Sequence, residues 1–353
     1  MMMKVKLKYL ILMLAIMFRY FQFYNLVSNN SLLCYIFVFV IVLLSLFEIF
    51  YIKFNRKLFT TFILILFVSF IIFLSNTDDN LFIYSLIALF FIDTDNKDMI
   101  KCFFITSLCM YILTIVLNQF GIIASNDALR SSDLNSTVRH SLGFGHVNSV
   151  FLYYLPIAYS FYYLFSDKKY TKIIILLSTI VLFLVSNCRT GFIFSILFIL
   201  VSFINSKKIS MFIKKYSKYL FFTLTIASIV FAFMFGTTKS NMFNQLLSGR
   251  LYNAFYYIEK GYMLSLFGSG VKLTLPLDNF YINLLVTHGI IIYLFYLFIY
   301  QKGTSLVKDY KLIIIICFFL LYGLSEASTV CNFALIILIK EIFIDARKSE
   351  NYG

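Results

Sequence analysis

The chain contains 353 residues, of which 61% are hydrophobic and only 13% are charged. A water-soluble domain carries about 25% charged residues, so this composition excludes a soluble fold. The formal net charge of +14 does not indicate a nucleic-acid-binding protein, because the basic residues are dispersed in short clusters between apolar runs. The composition instead predicts an all-α polytopic membrane protein.

Apolar runs long enough to cross a membrane recur along the whole chain. The first run resembles a signal peptide, but no small-residue cleavage site follows it, so we interpret it as an uncleaved span. The six cysteines lie mostly inside such runs and lack metal-binding spacing, so no metal site is predicted. Polar clusters divide residues 1–353, as a single integral membrane domain, into twelve predicted spans: 7–27, 32–52, 58–75, 80–93, 99–119, 147–166, 171–187, 190–205, 218–236, 279–300, 312–325 and 332–344.

Basic residues sort the connections between these spans into two sets. Most of the 30 Lys and Arg residues lie in one set of alternate connections, which by the positive-inside rule faces the cytoplasm. Both termini belong to that set, so the pattern predicts about 12 transmembrane helices with both termini cytoplasmic. Two long loops, about residues 120–146 and 237–278, are predicted on the outer face, where nearly all other polar residues lie.

Arg189 is a basic residue in a short outer connection, S-N-C-R-T-G, against the positive-inside trend. One interpretation is that its side chain reaches toward lipid headgroups while its stem stays in the apolar layer. The other is that its planar guanidinium binds an anionic group at the membrane edge. A lipid-linked phosphate or diphosphate is the natural candidate at that depth.

The block 248–289 is the densest polar part of the second long loop. Arg250 opens a segment rich in Tyr and Phe, whose rings offer stacking faces for sugars. Gly268 and Gly270 flank a serine in a G-S-G sequence, which forms either a backbone nest for an anion or an ordinary turn.

Four further polar residues lie within the predicted tenth span or at the ends of the tenth and eleventh spans. Asp278 and Asn279 begin the tenth span, either as helix caps or as functional side chains. His288 is expected about 14 Å further along the same helix, where a hydrogen bond across helices is its expected role. Glu326 follows the eleventh span, either as a solvated carboxylate or as a general base or arginine partner.

The order of these motifs resembles that of the bacterial O-antigen and capsular polysaccharide polymerases, the Wzy family, and of the related O-antigen ligases. The resemblance covers roughly residues 130–335 and rests on the shared order, spacing and sidedness of the motifs. Its landmarks, in chain order, are R-H-S-L-G-F-G-H-V-N, S-N-C-R-T-G, S-G-R, F-G-S-G, D-N-F-Y-I-N-L-L-V-T-H-G and a Glu at the outer edge of the membrane.

The resemblance implies a helical bundle in the bacterial plasma membrane that needs no metal or other cofactor. It implies transfer of a growing glycan from undecaprenyl diphosphate onto a lipid-linked repeat unit on the outer face. The implied partners are that lipid-linked oligosaccharide, membrane lipid, and flippase and chain-length regulator proteins. Arg189 and Arg250 match the arginines that bind the diphosphate. Asp278 stands where the ligases usually have His, which favours a polymerase and leaves Asp278 and Glu326 as candidate bases.

The stretch 139–148 then has two interpretations. Gly143 and Gly145 can let the backbone turn tightly at the interface, which would gather the polar side chains of the stretch around an acceptor or diphosphate. The family often has Pro where this chain has Val147, so the turn is expected to be less rigid. The alternative is a purely structural turn where the chain returns to the membrane. The predicted substrate-binding residues are therefore Arg139, His140, His146, Asn148, Gly268, Gly270, Asn279 and His288.

The rivals of a polymerase are a ligase, which attaches finished glycan to another carrier, and a lipid-linked oligosaccharide flippase or other transporter. Transporters place polar residues near the bilayer midplane, in helices broken by Gly or Pro. This chain has only two prolines, and its polar residues concentrate in the predicted outer loops. An enzyme is therefore the favoured class.

Overall fold

The computed structural model describes residues 2–23, 32–76, 80–130, 137–204, 207–239, 241–242, 244, 247–271, 273–327 and 332–348. In these residues the chain is mainly α-helical, and its sheet structure is limited to one short hairpin. Three helical stretches are long and apolar enough to cross a membrane: Asn96–Gln119, Lys169–Ser186 and Ser210–Phe235. The prediction of a helical membrane protein is confirmed at this level.

The helices, in chain order, are α1 (Met2–Phe23), α2 (Leu32–Ile49), α3 (Arg56–Asn76), α4 (Asn80–Phe90), α5 (Asn96–Gln119), α6 (Ser149–Phe165), α7 (Lys169–Ser186), α8 (Arg189–Ser202), α9 (Lys207–Tyr216), α10 (Leu220–Phe235), α11 (Arg250–Glu259), α12 (Phe280–Thr287), α13 (Gly289–Leu306), α14 (Tyr310–Tyr322) and α15 (Phe333–Lys348). Each predicted span overlaps one of them or, for the tenth span, α12 and α13 together. Helices α9 and α11 are additional and lie in predicted connections. Parts of the predicted first span and outer loops lie outside the described residues, namely 24–27, 131–136, 240, 243, 245–246 and 272.

Several helices at predicted spans are too short to cross a bilayer unaided. Helix α4 has 11 residues and α14 has 13. At the α-helical rise these lengths correspond to about 17 and 20 Å, whereas the hydrocarbon core is about 30 Å thick. The positions of the helices therefore agree with the sequence pattern, but the count of twelve crossings stays a prediction.

The backbone divides into two compact units. Unit 1 comprises Met1–Phe54, Leu86–Asn205 and Val330–Phe333, and unit 2 comprises Asn55–Ser85, Ser206–Thr329 and Ala334–Gly353. In unit 1, α5 packs on α1 and α6, and α7 packs on α6 and α8. In unit 2, α10 is the central helix, and α11, α12, α13 and α14 pack against it. The single membrane domain predicted from the sequence stays a prediction.

Buried aromatic residues anchor the stretch 139–148 in unit 1. Phe144 is fully buried, and its ring centroid lies 5.0 Å from that of Tyr111 and 5.4 Å from that of Tyr153. Both tyrosine hydroxyl groups donate to backbone carbonyl groups, so the polar atoms of this core are satisfied. Gly143, next to the buried phenylalanine, has a φ of +85°, and a Cβ there would lie 2.7 Å from Asn118 Cβ. The predicted tight turn is confirmed at Gly143.

The first predicted outer loop contains a hairpin that the sequence pattern did not indicate. Strand β1 (Ala128–Arg130) pairs antiparallel with β2 (Thr137–Arg139), and Ala128 lies opposite Arg139. Each strand has only three residues, which is too short for a reliable alternation of polar and apolar side chains. The same register places Asp127 opposite His140 at the open end of the hairpin.

Aromatic side chains around α10 form the core of unit 2. Phe221 is fully buried and stacks on Tyr300, with ring centroids 4.9 Å apart. Its ring also meets Tyr281 edge-on at 5.3 Å, and the Tyr281 hydroxyl donates to the Leu320 carbonyl at 2.6 Å. These contacts fix the start of α12 against α10 and α14.

The tenth predicted span is a broken helix, so the expectation of one continuous helix there is corrected. Helix α12 ends at Thr287, and α13 begins at Gly289, whose φ is +84°. Segment 265–269 lies across the break. Two amides just after the break donate to its carbonyl groups at 3.0 and 3.2 Å, and the Ser269 amide donates to the Val286 carbonyl at 2.9 Å. The chain's own loop therefore satisfies backbone groups that the break would otherwise expose.

Candidate functional site

Three of the four predicted catalytic residues meet in unit 2. Arg250 Nε donates to Asp278 Oδ2 at 3.0 Å, and Arg250 Nη2 donates to Glu326 Oε1 at 3.1 Å. The Arg250 and Glu326 side chains are 14% and 13% exposed, whereas that of Asp278 is 35% exposed. Glu326 is thus an arginine partner that the protein largely covers, and Asp278 is the more accessible carboxylate. We call these three residues the triad.

Contacts between α11 and the segment just before α12 bring Arg250 to Asp278. Arg250 is the first residue of α11. One face of that helix is tied to the chain just before Asp278, because the Tyr257 hydroxyl donates to the Leu275 carbonyl at 2.9 Å and accepts from the Leu275 amide at 2.8 Å. This clamp, together with the Asn253 side-chain nitrogen, which donates to the Pro276 carbonyl at 3.0 Å, holds α11 beside the start of α12.

Asn279, rather than Asp278, caps α12. Its side-chain oxygen accepts from two amides of the first helical turn, each at 3.1 Å. Its side-chain nitrogen donates to Ser228 Oγ at 2.9 Å and to the Leu324 carbonyl at 3.2 Å. Asn279 therefore joins α10, α12 and the end of α14, which gives it a structural role and leaves Asp278 free of capping. A substrate contact by Asn279 stays a prediction.

The triad joins one positive and two negative groups, so its formal charge is negative. A guanidinium carries five N–H donors, and two of those on Arg250 serve the carboxylates. Arg250, the residue predicted to bind the diphosphate, is therefore already paired with two carboxylates. A phosphate must bind to its other N–H groups or displace a carboxylate. Charged groups that the protein largely covers, as it covers Arg250 and Glu326, are costly to desolvate, which makes the triad a functional candidate.

The G-S-G sequence packs against the helix break. Gly268 has a φ of +91°, and a Cβ there would lie 2.2 Å from the Thr287 carbonyl oxygen. The amide of Ser269 is engaged at the break, so one of the donors of the predicted anion nest is already used. Gly270 has a φ of +62° with open space around its Cα. His288 is half-buried at the break itself, not deeper in a continuous helix. Substrate contacts by Gly268, Gly270 and His288 stay predictions.

Three predicted substrate-binding residues form a cluster in unit 1. Arg139 Nη2 donates to Asn148 Oδ1 at 3.0 Å, and the Asn148 amide donates to His146 Nδ1 at 3.1 Å. The buried Cys188 thiol also contacts Asn148 Oδ1, at 3.7 Å. The cluster therefore connects the stretch 139–148 to the short S-N-C-R-T-G connection.

Arg189, the fourth predicted catalytic residue, lies next to this cluster in sequence and begins α8. Its side chain is exposed. Two residues later, a Cβ on Gly191 would lie 2.2 Å from Phe151 Cβ, so a glycine allows α8 to approach α6 closely. That contact fixes the helix that presents Arg189. Arg189 belongs to unit 1 and Arg250 to unit 2.

The structure separates His140 from the other polar residues of its stretch. His140 Nδ1 lies 2.7 Å from Asp127 Oδ2, and Asp127 Oδ1 accepts from the Ser141 amide at 2.8 Å. Successive side chains of a strand point to opposite faces, so Arg139 and His140 turn to different sides at the end of β2. Asp127 was not among the predicted site residues. Asp127 can be identified only from its position opposite His140, and that position follows from the pairing of β1 with β2.

Unit 2 therefore contains one candidate site, the triad. Unit 1 contains two separate groups of candidate residues, the Arg139–Asn148 cluster and the Asp127–His140 pair. Within the described part of the chain, no three His, Cys, Asp or Glu side chains are grouped so that they could hold a metal ion. Comparison with protein family models, characterised proteins and solved structures found no match to this chain.

Proposed function

We propose that the chain is a membrane glycosyltransferase that extends a bacterial surface polysaccharide on the outer face of the plasma membrane. It transfers a growing glycan from undecaprenyl diphosphate onto a lipid-linked repeat unit. The observation that carries the proposal is the triad, because it brings together an arginine, which is suited to binding phosphate, and two carboxylates, which are suited to accepting a proton. The order of motifs along the chain supports the same assignment.

The triad supplies groups suited to each change of charge in such a transfer. The bond between the anomeric carbon and the diphosphate oxygen breaks, and the diphosphate leaves with the electron pair. The acceptor hydroxyl oxygen forms the glycosidic bond, and its proton passes to Asp278, the more exposed carboxylate. N–H groups of Arg250 that are not engaged by carboxylates donate to the departing diphosphate. Glu326 keeps the guanidinium in position.

The broken helix α12–α13 is the observation that favours a transporter, because discontinuous helices often line transport sites. In known examples the free backbone groups at the break contact the substrate or ion. Here segment 265–269 engages amides after the break and the carbonyl of Val286 before it. Because these backbone groups are already hydrogen-bonded within the chain, the break is better explained as a structural feature than as a transport site. An enzyme therefore remains the better proposal.

A topology with twelve crossings and cytoplasmic termini is part of this proposal and can be tested with reporter fusions. Alkaline phosphatase, which folds only outside the cytoplasm, should be active when fused after Asn126 or Lys260. It should be inactive when fused after Lys214, which lies in the basic helix α9. A cytoplasmic reporter fused at the same three positions serves as the control and should give the opposite pattern. Activity of alkaline phosphatase at Lys214 would contradict the proposed sidedness.

Deletion of the gene should remove long-chain surface polysaccharide and leave lipid-linked single repeat units on the outer face. Gel electrophoresis of surface polysaccharide measures chain length, and extraction of lipid-linked sugars from spheroplasts with and without an impermeant glycosidase reports their side. The wild-type gene supplied in trans is the control and should restore long chains. Repeats that accumulate on the cytoplasmic face would indicate a flippase, and long lipid-linked polymer that is not transferred would indicate a ligase.

A further inference from the structure

A cavity of about 500 Å³ opens at one end of unit 1. Its walls are the last residues of α5, the loop that follows α5, the end of α7, and two residues after β2. The volume falls within the range of about 300–1,000 Å³ that ligand pockets occupy. Helices α5 and α7 are two of those long and apolar enough to cross a membrane. In the proposed topology, a cavity at their ends lies at the membrane surface and not within the bilayer.

Two polar side chains of this cavity are fixed in place by the fold. The hairpin register places Asp127 opposite His140, and both side chains line the cavity. Asp127 accepts hydrogen bonds from the Ser141 amide and the Ser125 hydroxyl in addition to its contact with His140. The His140 amide donates to the Val185 carbonyl at 3.3 Å. Groups held in this way lose little conformational freedom when a ligand binds.

The imidazole of His140 keeps one nitrogen for a ligand. Its Nδ1 is engaged with Asp127, so Nε2 is the ring nitrogen that can bond a further group. The side chain is 51% exposed, and the Asp127 side chain is 31% exposed. A ligand in the cavity therefore has access to an imidazole nitrogen and to a carboxylate edge.

The rest of the cavity lining combines polar groups with apolar surface, a combination that suits a sugar ring. Asn118, Gln119 and Ser125 contribute amide and hydroxyl groups, whereas Ile123 and Val185 contribute apolar surface. A pyranose has the complementary pattern, with hydroxyl groups around its edge and C–H groups on its faces. Drug-sized and sugar-sized ligands alike need a few fixed polar groups within an apolar wall.

The charge of the cavity favours a neutral ligand. Burial opposes ionisation of Asp127, but hydrogen bonds from the Ser125 hydroxyl, the Ser141 amide and His140 outweigh it and lower the pKa of the carboxyl to about 2. The carboxylate therefore stays charged at neutral pH. An acidic sugar would place a second negative charge next to it.

We propose that this cavity binds a neutral sugar residue of the glycan, whose hydroxyl groups bond to Asp127 and His140 and whose C–H face packs on Ile123 and Val185. This proposal rests on the proposed function for the origin of the sugar. It goes beyond that function because it assigns a second binding site, its partners and its ligand class.

The experiment uses the absence of tryptophan from the sequence. An Ala124→Trp substitution places a single indole at the cavity rim, and Ile122→Trp, at an exposed position of the same loop, is a second reporter. The purified full-length protein is titrated with methyl glycosides of glucose, galactose, mannose and N-acetylglucosamine, and with methyl glucuronide as the acidic match of methyl glucoside. At least one neutral glycoside should change the indole emission saturably, with a Kd on the order of 1 mM. The glucuronide should bind at least about tenfold more weakly.

Substitutions in the reporter background identify the residues that bind the sugar. His140→Ala and Asp127→Asn should each weaken binding about tenfold, as expected for loss of a hydrogen bond in which a charged group takes part. Asp345→Asn is the matched control, because Asp345 is also an exposed, ion-paired carboxylate, bonded to Lys302 in unit 2 at 2.9 Å. It should bind as the parent does.

Three outcomes would overturn the proposal: no saturable change with any neutral glycoside in either reporter, unchanged binding in His140→Ala, or tighter binding of the glucuronide. Sugar binding is measured without polymer synthesis. A failure here therefore leaves the deletion result standing, and a failure of the deletion test leaves the binding measurement standing.

Discussion

Replacement of Arg250 by lysine should abolish long-chain polymer while the protein accumulates in the membrane at its wild-type level. The guanidinium is a rigid fork that contacts Asp278 and Glu326 at 3.0 and 3.1 Å and still carries donors for a phosphate. Lysine offers a point charge on a flexible stem and cannot hold two carboxylates and a phosphate in fixed directions. Loss of one oriented donor to developing negative charge costs about a hundredfold or more in rate.

Polymer is measured as chain length on gels and as the rate of elongation of lipid-linked repeats in isolated membranes. Arg56→Lys is the matched control, because Arg56 is likewise the first residue of a helix in unit 2 but is exposed, and it should retain full activity. The same exchange at Arg189 tests the other predicted diphosphate ligand: an arginine that only contacts headgroups should tolerate lysine. Full-length polymer from both Arg250→Lys and Arg189→Lys would refute diphosphate binding by these arginines.

Replacing each carboxylate of the triad by the corresponding amide side chain distinguishes the roles of the two residues. Asp278→Asn keeps a hydrogen-bond acceptor for Arg250 but cannot take a proton, and α12 is unaffected because Asn279 supplies its cap. Polymer should therefore be lost in Asp278→Asn at normal protein level. Glu326→Gln preserves the positioning contact better and should retain more activity. The opposite ranking would assign the base to Glu326.

Substitution of Gly289 by alanine should strongly lower the thermal stability of the folded protein. The residue has a φ of +84°, and a Cβ there would lie 2.2 Å from the Gly268 amide nitrogen and 2.6 Å from the Leu266 carbonyl oxygen. The left-handed backbone alone costs about 1–2 kcal/mol for a residue with a Cβ, and the clash with backbone atoms adds to it because neither can rotate away. A total of more than about 2 kcal/mol is a large share of the stability of a typical fold.

Gly270→Ala is the matched control for this substitution. Its φ of +62° carries the backbone strain, but no atom lies within 4 Å of the added Cβ. Thermal stability of the detergent-solubilised proteins, measured by size-exclusion chromatography after heating, should fall far more for Gly289→Ala than for Gly270→Ala. Equal stability of the two variants would mean that the contact between segment 265–269 and the helix break contributes little.

The positions of the helices could be predicted because uninterrupted apolar runs leave few alternatives. The break at Gly289 could not, since V-T-H-G-I-I-I is apolar on both sides and the cause lies in a tertiary contact with segment 265–269. The hairpin was missed because three-residue strands carry no measurable periodicity. Both misses concern backbone hydrogen bonds to distant segments, which single-sequence patterns do not encode.

The residues of the triad could be predicted from the sequence, but the hydrogen bonds that join them could not. Sidedness and charge selected Arg250, Asp278 and Glu326 as outward polar residues, yet their pairing spans separations of 28 and 76 residues. The sequence also suggested one pocket for Arg139 and His140, whereas alternation along β2 sends them to different sides. Asp127 was overlooked because its partner is defined by the hairpin register.

The position of segment 265–269 before the broken helix in the chain has a consequence for membrane insertion. A span with exposed amides and carbonyl groups at its middle would enter the hydrocarbon layer only at a cost of several kcal/mol per unsatisfied group. Segment 265–269 precedes α12 and α13 along the chain, so the ribosome delivers the partners of those groups first. In the proposed topology the two half-helices therefore leave the translocon against a loop that is already synthesised, and a circular permutant that placed 265–269 after α13 would have to insert the broken span unprotected.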